Sequence, residues 1–298
     1  MSNRLVMGTA QLGMSYGINN KVGQPDDLGA LELVRTAWDR GIHEFDTAQA
    51  YGDSEDILGV ALESSGLSRL ARVITKLDPK LDCLDTKVLT IAVERSLRKL
   101  KVLKLSGLML HDESWLGSWE KGLGAFMGSM VRNGMVEQVG VSVYAPDKAL
   151  EALNKSEVMF VQIPSNMLDQ RFEKAGVFAL AQKKGKKVYI RSVFLQGLMV
   201  MDPDVLPENM DFARGALLKI RALAQELKLS VEAMALGYVL GQWPQARIVI
   251  GVETPAQVLA NVAMADKALP ENIRAKISAA FADTDQRIIN PSLWLKRV

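Results

Sequence analysis

Among 298 residues there is one cysteine, Cys83, and there are two histidines, His43 and His111. A single thiol closes no disulfide within the chain, and two imidazoles so far apart in sequence do not form a zinc-ligand cluster. No structural metal is expected. An excess of charge of either sign is missing too: 36 Lys and Arg stand against 34 Asp and Glu, for a formal net charge of +2. A field that weak argues against nucleic acid or an anionic membrane surface as partner, and points to a small molecule. No apolar run approaches the roughly 20 residues of a membrane-spanning helix. The first eight residues, Met-Ser-Asn-Arg-Leu-Val-Met-Gly, lack the apolar core and small-residue cleavage pattern of a secretion signal. The expected setting is therefore the cytoplasm.

What is present is an ordinary globular composition, 48% hydrophobic and 23% charged, arranged as an alternation. Short β-branched runs predict strands at Leu5 to Gly8, Ile42 to Asp46, Arg72 to Lys76, Leu108 to His111, Val136 to Ser142, Met159 to Ile163, Lys187 to Arg191 and Ile248 to Gly251. Segments of helical period separate them: Leu28 to Arg40, Ser54 to Ser64, Leu84 to Leu100, Glu120 to Arg132, Pro146 to Leu153, Lys174 to Lys184, Gly215 to Leu227 and Pro255 to Ala265. Pro146 and Pro255 suit first helical turns, and Gly41, Gly134 and Gly185 suit helix ends. Repeated strand-helix units without a long flexible linker predict an α/β fold, a (β/α)8 TIM barrel occupying 1–298 as one domain. Residues 270–298 would add a C-terminal helix, Glu271 to Asp283, and a tail. The apolar, Pro-broken run Ile288 to Trp294 would either fold over the barrel mouth or pack on the surface.

In such a barrel the reacting groups come from the C-terminal strand ends and the loops that follow. Asp46 ends the second strand, Tyr51 lies five positions on, Lys76 ends the third and His111 the fourth. Each has a plain structural reading: a turn cap, a packing ring, a solvated strand end and a satisfied core histidine. Four such residues on three neighbouring strands make coincidence a poor explanation. Their shared chemistry is proton donation. An ammonium at Lys76, held charged by Asp46, would lower the pKa of a nearby phenol, and His111 would polarise a carbonyl oxygen. None of them is a hydride source, so a bound cofactor is required.

The run Gly41-Ile42-His43-Glu44-Phe45-Asp46-Thr47-Ala48-Gln49-Ala50-Tyr51-Gly52, followed by Ser54-Glu55 and Leu58-Gly59-Val60-Ala61-Leu62, resembles the signature of the aldo-keto reductases. The resemblance extends from Gly8-Thr9-Ala10 to Asn261. It implies a (β/α)8 barrel, a catalytic tetrad of Asp46, Tyr51, Lys76 and His111, and NADP(H) or NAD(H) as hydride carrier. It further implies that Ser142 and Gln162 hold the nicotinamide carboxamide, although the family's Asn neighbour is Val143 here. Arg191, followed by Ser192, stands where the family usually stacks an aromatic on nicotinamide. A planar guanidinium can stack likewise, or bind a phosphate or a substrate carboxylate.

The segment Ile250 to Asn261 resembles the family's adenosine-phosphate site, to which Gly251, Gln257 and Asn261 would belong. Members preferring NADPH commonly carry Lys and Arg where Gly251 and Gln257 stand, so discrimination for NADP over NAD should be weakened. Glu253 would add repulsion if it faces the site. The expected activity is reduction of an aldehyde or ketone, sugar-like carbonyls included, with Tyr51 as general acid. Two other classes compete: a non-catalytic barrel sensing nicotinamide nucleotide, and a lyase using Lys76 as a Schiff base. Met14, Tyr16, Trp115, Phe194, Met199 and Trp294 are candidates for shaping the substrate pocket.

Overall fold

The computed structural model describes residues 4–294. Eight strands form a closed, all-parallel barrel in sequential order: β1 Leu5–Gly8, β2 Glu44–Asp46, β3 Arg72–Leu77, β4 Gly107–Leu110, β5 Val139–Ser142, β6 Val158–Pro164, β7 Lys187–Arg191 and β8 Arg247–Gly251. Closure is made where β1 pairs with β8, Leu5 opposite Ile248 and Gly8 opposite Gly251. The expected (β/α)8 class is the observed one.

Side chains alternate between the two faces of a strand, and that period of two sorts the barrel into layers. Val6, Ile74, Met109, Phe160, Tyr189 and Val249 form a small core of their own inside the barrel. The Phe160 ring spreads across β4 and β5 because Gly107 and Gly140 leave it room; a Cβ there would lie 2.8 Å and 2.6 Å from its ring atoms. Two residues further along the same strands come Gly8, Lys76, His111, Gln162, Arg191 and Gly251. With Asp46 and Ser142 they make up the C-terminal rim. The opposite strand faces carry Leu5, Met7, Phe45, Val73, Leu77, Leu108 and Leu110 into the larger core beneath the helices. Near the N-terminal end the buried Glu44 accepts a 2.6 Å hydrogen bond from the Tyr189 hydroxyl and pairs with Arg247.

Several elements depart from the expected boundaries, and glycine conformation explains two of the breaks. The expected helix Glu120 to Arg132 is a 3-10 segment, Glu113–Lys121, then a helix, Leu123–Arg132, divided at Gly122 with φ +120°. Lys174 to Lys184 is likewise split into Arg171–Lys174 and Val177–Lys183 around Gly176, φ +79°. Besides the single turns Ala10–Gly13 and Gln286–Ile289, one long helix is unexpected: Val231–Gln242, between helix Arg214–Leu227 and β8. Met234 to Leu240 are all buried, so the helix is apolar on every side and shows no helical period to a sequence reading. Its start is marked only by Ser230, which caps the Ala233 amide.

Beyond β8, helix Pro255–Met264 returns along the barrel and Glu271–Ala280 follows it. In the tail, Ile288, Ile289 and Trp294 are buried, the Trp294 indole donates to the Arg287 carbonyl at 2.9 Å, and the Arg287 guanidinium lies over Phe212. The tail therefore packs against the segment Glu208–Ala213 that precedes helix Arg214–Leu227, which is the surface-packing alternative. Residues 295–298 lie outside the described residues. No helix among the described residues is long and apolar enough to cross a membrane.

Candidate active site

The rim is held together by a buried carboxylate. Asp46 Oδ2 accepts from Lys76 Nζ at 2.7 Å and Asp46 Oδ1 accepts from Gln162 Nε2 at 2.8 Å. Lys76 also donates to the Thr47 carbonyl at 2.8 Å, so among the described residues two of its three N–H groups have acceptors. Lys76 and Gln162 are completely buried and Asp46 nearly so. Burial pushes the Lys76 ammonium down while the facing carboxylate opposes that shift.

Tyr51 is placed by the loop after β2 rather than by a strand, and that loop is fastened at several points. The Thr9 amide donates to the Asp46 carbonyl at 2.9 Å. The Ser54 hydroxyl, at the start of helix Ser54–Ser64, donates to the Thr9 carbonyl at 2.7 Å and lies 3.0 Å from the Thr47 hydroxyl. Gly13 lets the loop backbone pass in direct contact: a Cβ there would lie 1.9 Å from the Tyr51 carbonyl oxygen. Gly52 makes the same approach from the other side with φ +56°. So fixed, the Tyr51 ring meets His111 edge to face at 5.6 Å between centroids, and Lys76 Nζ lies 5.0 Å from the Tyr51 ring centroid. The four residues singled out from the sequence are thus neighbours.

Their electrostatics differ from the expectation on one point. The Tyr51 phenol is raised above the ordinary tyrosine value, not lowered. Burial is the largest cause and Asp46 adds to it, while Arg191 is the cation that opposes it. The physical reason is that burial strips the phenolate of its water and the nearby Asp46 carboxylate repels it. His111 is pushed down to about 3, by burial first and then by Lys76 and Arg191, so its imidazole is neutral at physiological pH. Two buried polar atoms of this cluster have no hydrogen-bond partner, His111 Nδ1 and Gln162 Oε1.

A cavity of about 700 Å³ opens above the rim, within the size range of small-molecule sites. Asp46, Tyr51, Arg191, Ser192, Gly251, Gln257 and Asn261 all line it. Lys76, His111, Ser142 and Gln162 do not line it; Ser142 is buried at the end of β5, in register with Gln162. Of the pocket-shaping candidates, Tyr16 and Phe194 line the cavity, whereas Met14, Trp115, Met199 and Trp294 do not. The Arg191 guanidinium carbon lies 4.1 Å from the Tyr144 ring centroid, and its N–H groups make long contacts to Ser192 and Val143. Sequence reasoning missed Gln11, Asn19, Lys21 and Gln196, which line the cavity, and Tyr144. The first four sit on two loops that meet, the Ile18 amide donating to the Gln196 carbonyl at 3.0 Å. The strained backbone at Ser192, Leu195 and Gln196, with φ +63°, +47° and +54°, is invisible to periodicity.

A closed parallel barrel with its polar rim and cavity at the C-terminal strand ends defines the (β/α)8 enzyme class. A model described as "Aldo/keto reductase family" matches residues 4–281, and the chain belongs to that family and is an oxidoreductase. It is 25% identical over 291 residues to the "Uncharacterized oxidoreductase YqkF" of Bacillus subtilis, covering 90% of this chain and 94% of that protein. It is also 25% identical to the "Aldo-keto reductase YhdN" of the same organism, over 58% of this chain and 53% of that protein. Among solved structures it resembles the glycerol dehydrogenase AKR11B4 of Gluconobacter oxydans, with TM-score 0.75, 24% identity and coverage of 94% and 92%. The holo form of the aldo-keto reductase AKR11C1 of Bacillus halodurans gives TM-score 0.75 at 22% identity, covering 93% and 91%.

Proposed function

We propose that the protein reduces an aldehyde or ketone with a nicotinamide cofactor, Tyr51 being the proton donor. The observation that carries the reading is the cluster of Asp46, Lys76, Tyr51 and His111 beside a cavity of about 700 Å³. The residues present fit the cofactor. Gln162 spends its amide N–H on Asp46, which leaves Oε1 buried without a donor. An unsatisfied buried acceptor costs about 1–3 kcal/mol, and the carboxamide N–H of a nicotinamide would satisfy it. Ser142 would hold the same group, and Arg191 would stack on the ring from the β7 side. Gly251, Gln257 and Asn261 would take the adenosine end, and Ser192 the intervening part.

The bound cofactor supplies the hydride; the protein's own residues manage the proton. A phenol held above its ordinary pKa remains protonated throughout the neutral range, so Tyr51 does not ionise before substrate arrives. The alkoxide formed on reduction is more basic than a phenolate, and the proton passes from Tyr51 Oη to it. Lys76 then meets the phenolate with its remaining N–H, and Asp46 keeps that ammonium charged and aimed. His111, neutral, polarises the carbonyl through a hydrogen bond without competing as an acid. The same Asp46 pairing makes Lys76 a poor amine nucleophile, which disfavours Schiff-base chemistry.

Small aldehydes, ketones and sugar-like carbonyls are the substrate class, and the cytoplasm is the setting this chemistry suits. The test is carbonyl-dependent oxidation of NADH and NADPH across a broad panel. Turnover with at least one class of carbonyl is the expected result. Tight nucleotide binding with no turnover anywhere would favour a sensor instead.

A further inference from the structure

The cavity has two chemically different ends. One lies at Asp46, Tyr51 and Arg191, and the other at Gly251, Glu253, Gln257, Ala260, Asn261 and Met264, where β8 passes into helix Pro255–Met264. A ligand long enough to react at Tyr51 and fill the cavity puts its remote end against the second set. Glu253 is half-buried and lines that end. Its carboxyl is raised by burial, with the Gln257 hydrogen bond acting against that, and no cation among the described residues contributes. Gln257 closes a small loop on it: the Glu253 amide donates to Gln257 Oε1 at 2.7 Å, and Gln257 Nε2 donates to Glu253 Oε2 at 3.5 Å. The space over Gly251 is taken by the Gln11 amide, 2.3 Å from where a Cβ would stand. The cations lining the cavity, Lys21 and Arg191, come from the loop after β1 and from the end of β7.

We infer that Glu253 makes this a site selective for NAD(H), its carboxylate accepting from the ribose hydroxyls and repelling a 2′-phosphate. The inference rests on the nucleotide reading given above. Its chemistry is general. A carboxylate is an acceptor matched to two adjacent hydroxyls, whereas a phosphate monoester brings about −1.5 to −2 charge to a place that already holds a negative one. A neutral amide at Gln257 and an unsubstituted Gly251 supply nothing to offset that repulsion.

Fluorescence titration of the full chain with NADH and NADPH tests the inference without relying on turnover. NADH should bind at least about tenfold more tightly. Glu253→Gln should remove most of that gap by improving NADPH, and Glu253→Arg should reverse it. On the unaltered chain, 5′-AMP should displace NADH where 2′,5′-ADP does not, a readout independent of how the variants fold. Equal affinities, tighter NADPH binding, or an unchanged ratio in Glu253→Gln would overturn the inference and leave the reductase reading standing. Failure of both nucleotides to bind would overturn both.

Discussion

At the scale of single residues the site depends on compensation between buried charges. Removing one partner of the Asp46 and Lys76 pair leaves the other charged and buried, which typically costs about 3–5 kcal/mol. Lys76→Met should therefore lower the denaturant midpoint strongly as well as abolish turnover, and Asp46→Asn combined with Lys76→Met should recover part of the stability. His111 gives a pH signature. With its folded pKa depressed to about 3 against an ordinary 6.5, the unfolded chain binds a proton in that window and the folded chain does not. Stability is therefore lost as pH falls from 6.5 towards 3, and the melting temperature of the wild type should drop more steeply on acidification than that of His111→Gln. An equal slope in the two proteins would mean that His111 is not buried and neutral. All four residues of the cluster are legible in the sequence because they occupy strand ends and one specific run. The direction of the Tyr51 shift is not, since it depends on how deeply the phenol is buried and how near the Asp46 carboxylate stands, which only the fold sets.

At the scale of elements the decisive contact is backbone against backbone. The loop carrying Tyr51 rests on Gly13, and a Cβ there would meet the Tyr51 carbonyl, a part that cannot swing aside. Gly13→Ala should cost about 1–3 kcal/mol of stability by overpacking and reduce turnover by displacing the phenol. Thermal unfolding and steady-state kinetics together check this, and a fully active, equally stable variant would contradict it. Most strands are legible to within a residue, because each buried run is short and flanked by turn signals: β1 and β7 have the expected boundaries, whereas β2 and β5 begin at Glu44 and Val139, later than the expected Ile42 and Val136. Helix Val231–Gln242 was not, because a helix buried all round carries no amphipathic stripe, and its Ser230 cap is a weak signal alone. The divided helices at Gly122 and Gly176 show the complementary failure, a period that continues across a residue whose backbone turns left-handed.

At the scale of the whole molecule, the barrel converts the period of a strand into a layer of chemistry. Every second residue points inward, so the last inward position of each strand belongs to one rim, and residues from 8 to 251 meet there without being neighbours in sequence. That is why strand ends suffice to find Asp46, Lys76 and His111 in one cluster, Tyr51 joining them from the loop after β2. The loops after β1 and β7, which line the cavity with Asn19, Lys21 and Gln196, have no period to read, and their meeting is a tertiary fact. The central claim is that Tyr51 gives its proton to the reduced carbonyl while the rest of the cluster prepares it. Single-turnover oxidation of bound reduced nucleotide by a carbonyl substrate, compared between wild type and Tyr51→Phe at matched occupancy, tests it most directly. The account predicts that the variant binds the nucleotide with unchanged affinity yet shows a rate reduced by at least about a thousandfold; a rate close to wild type would contradict it.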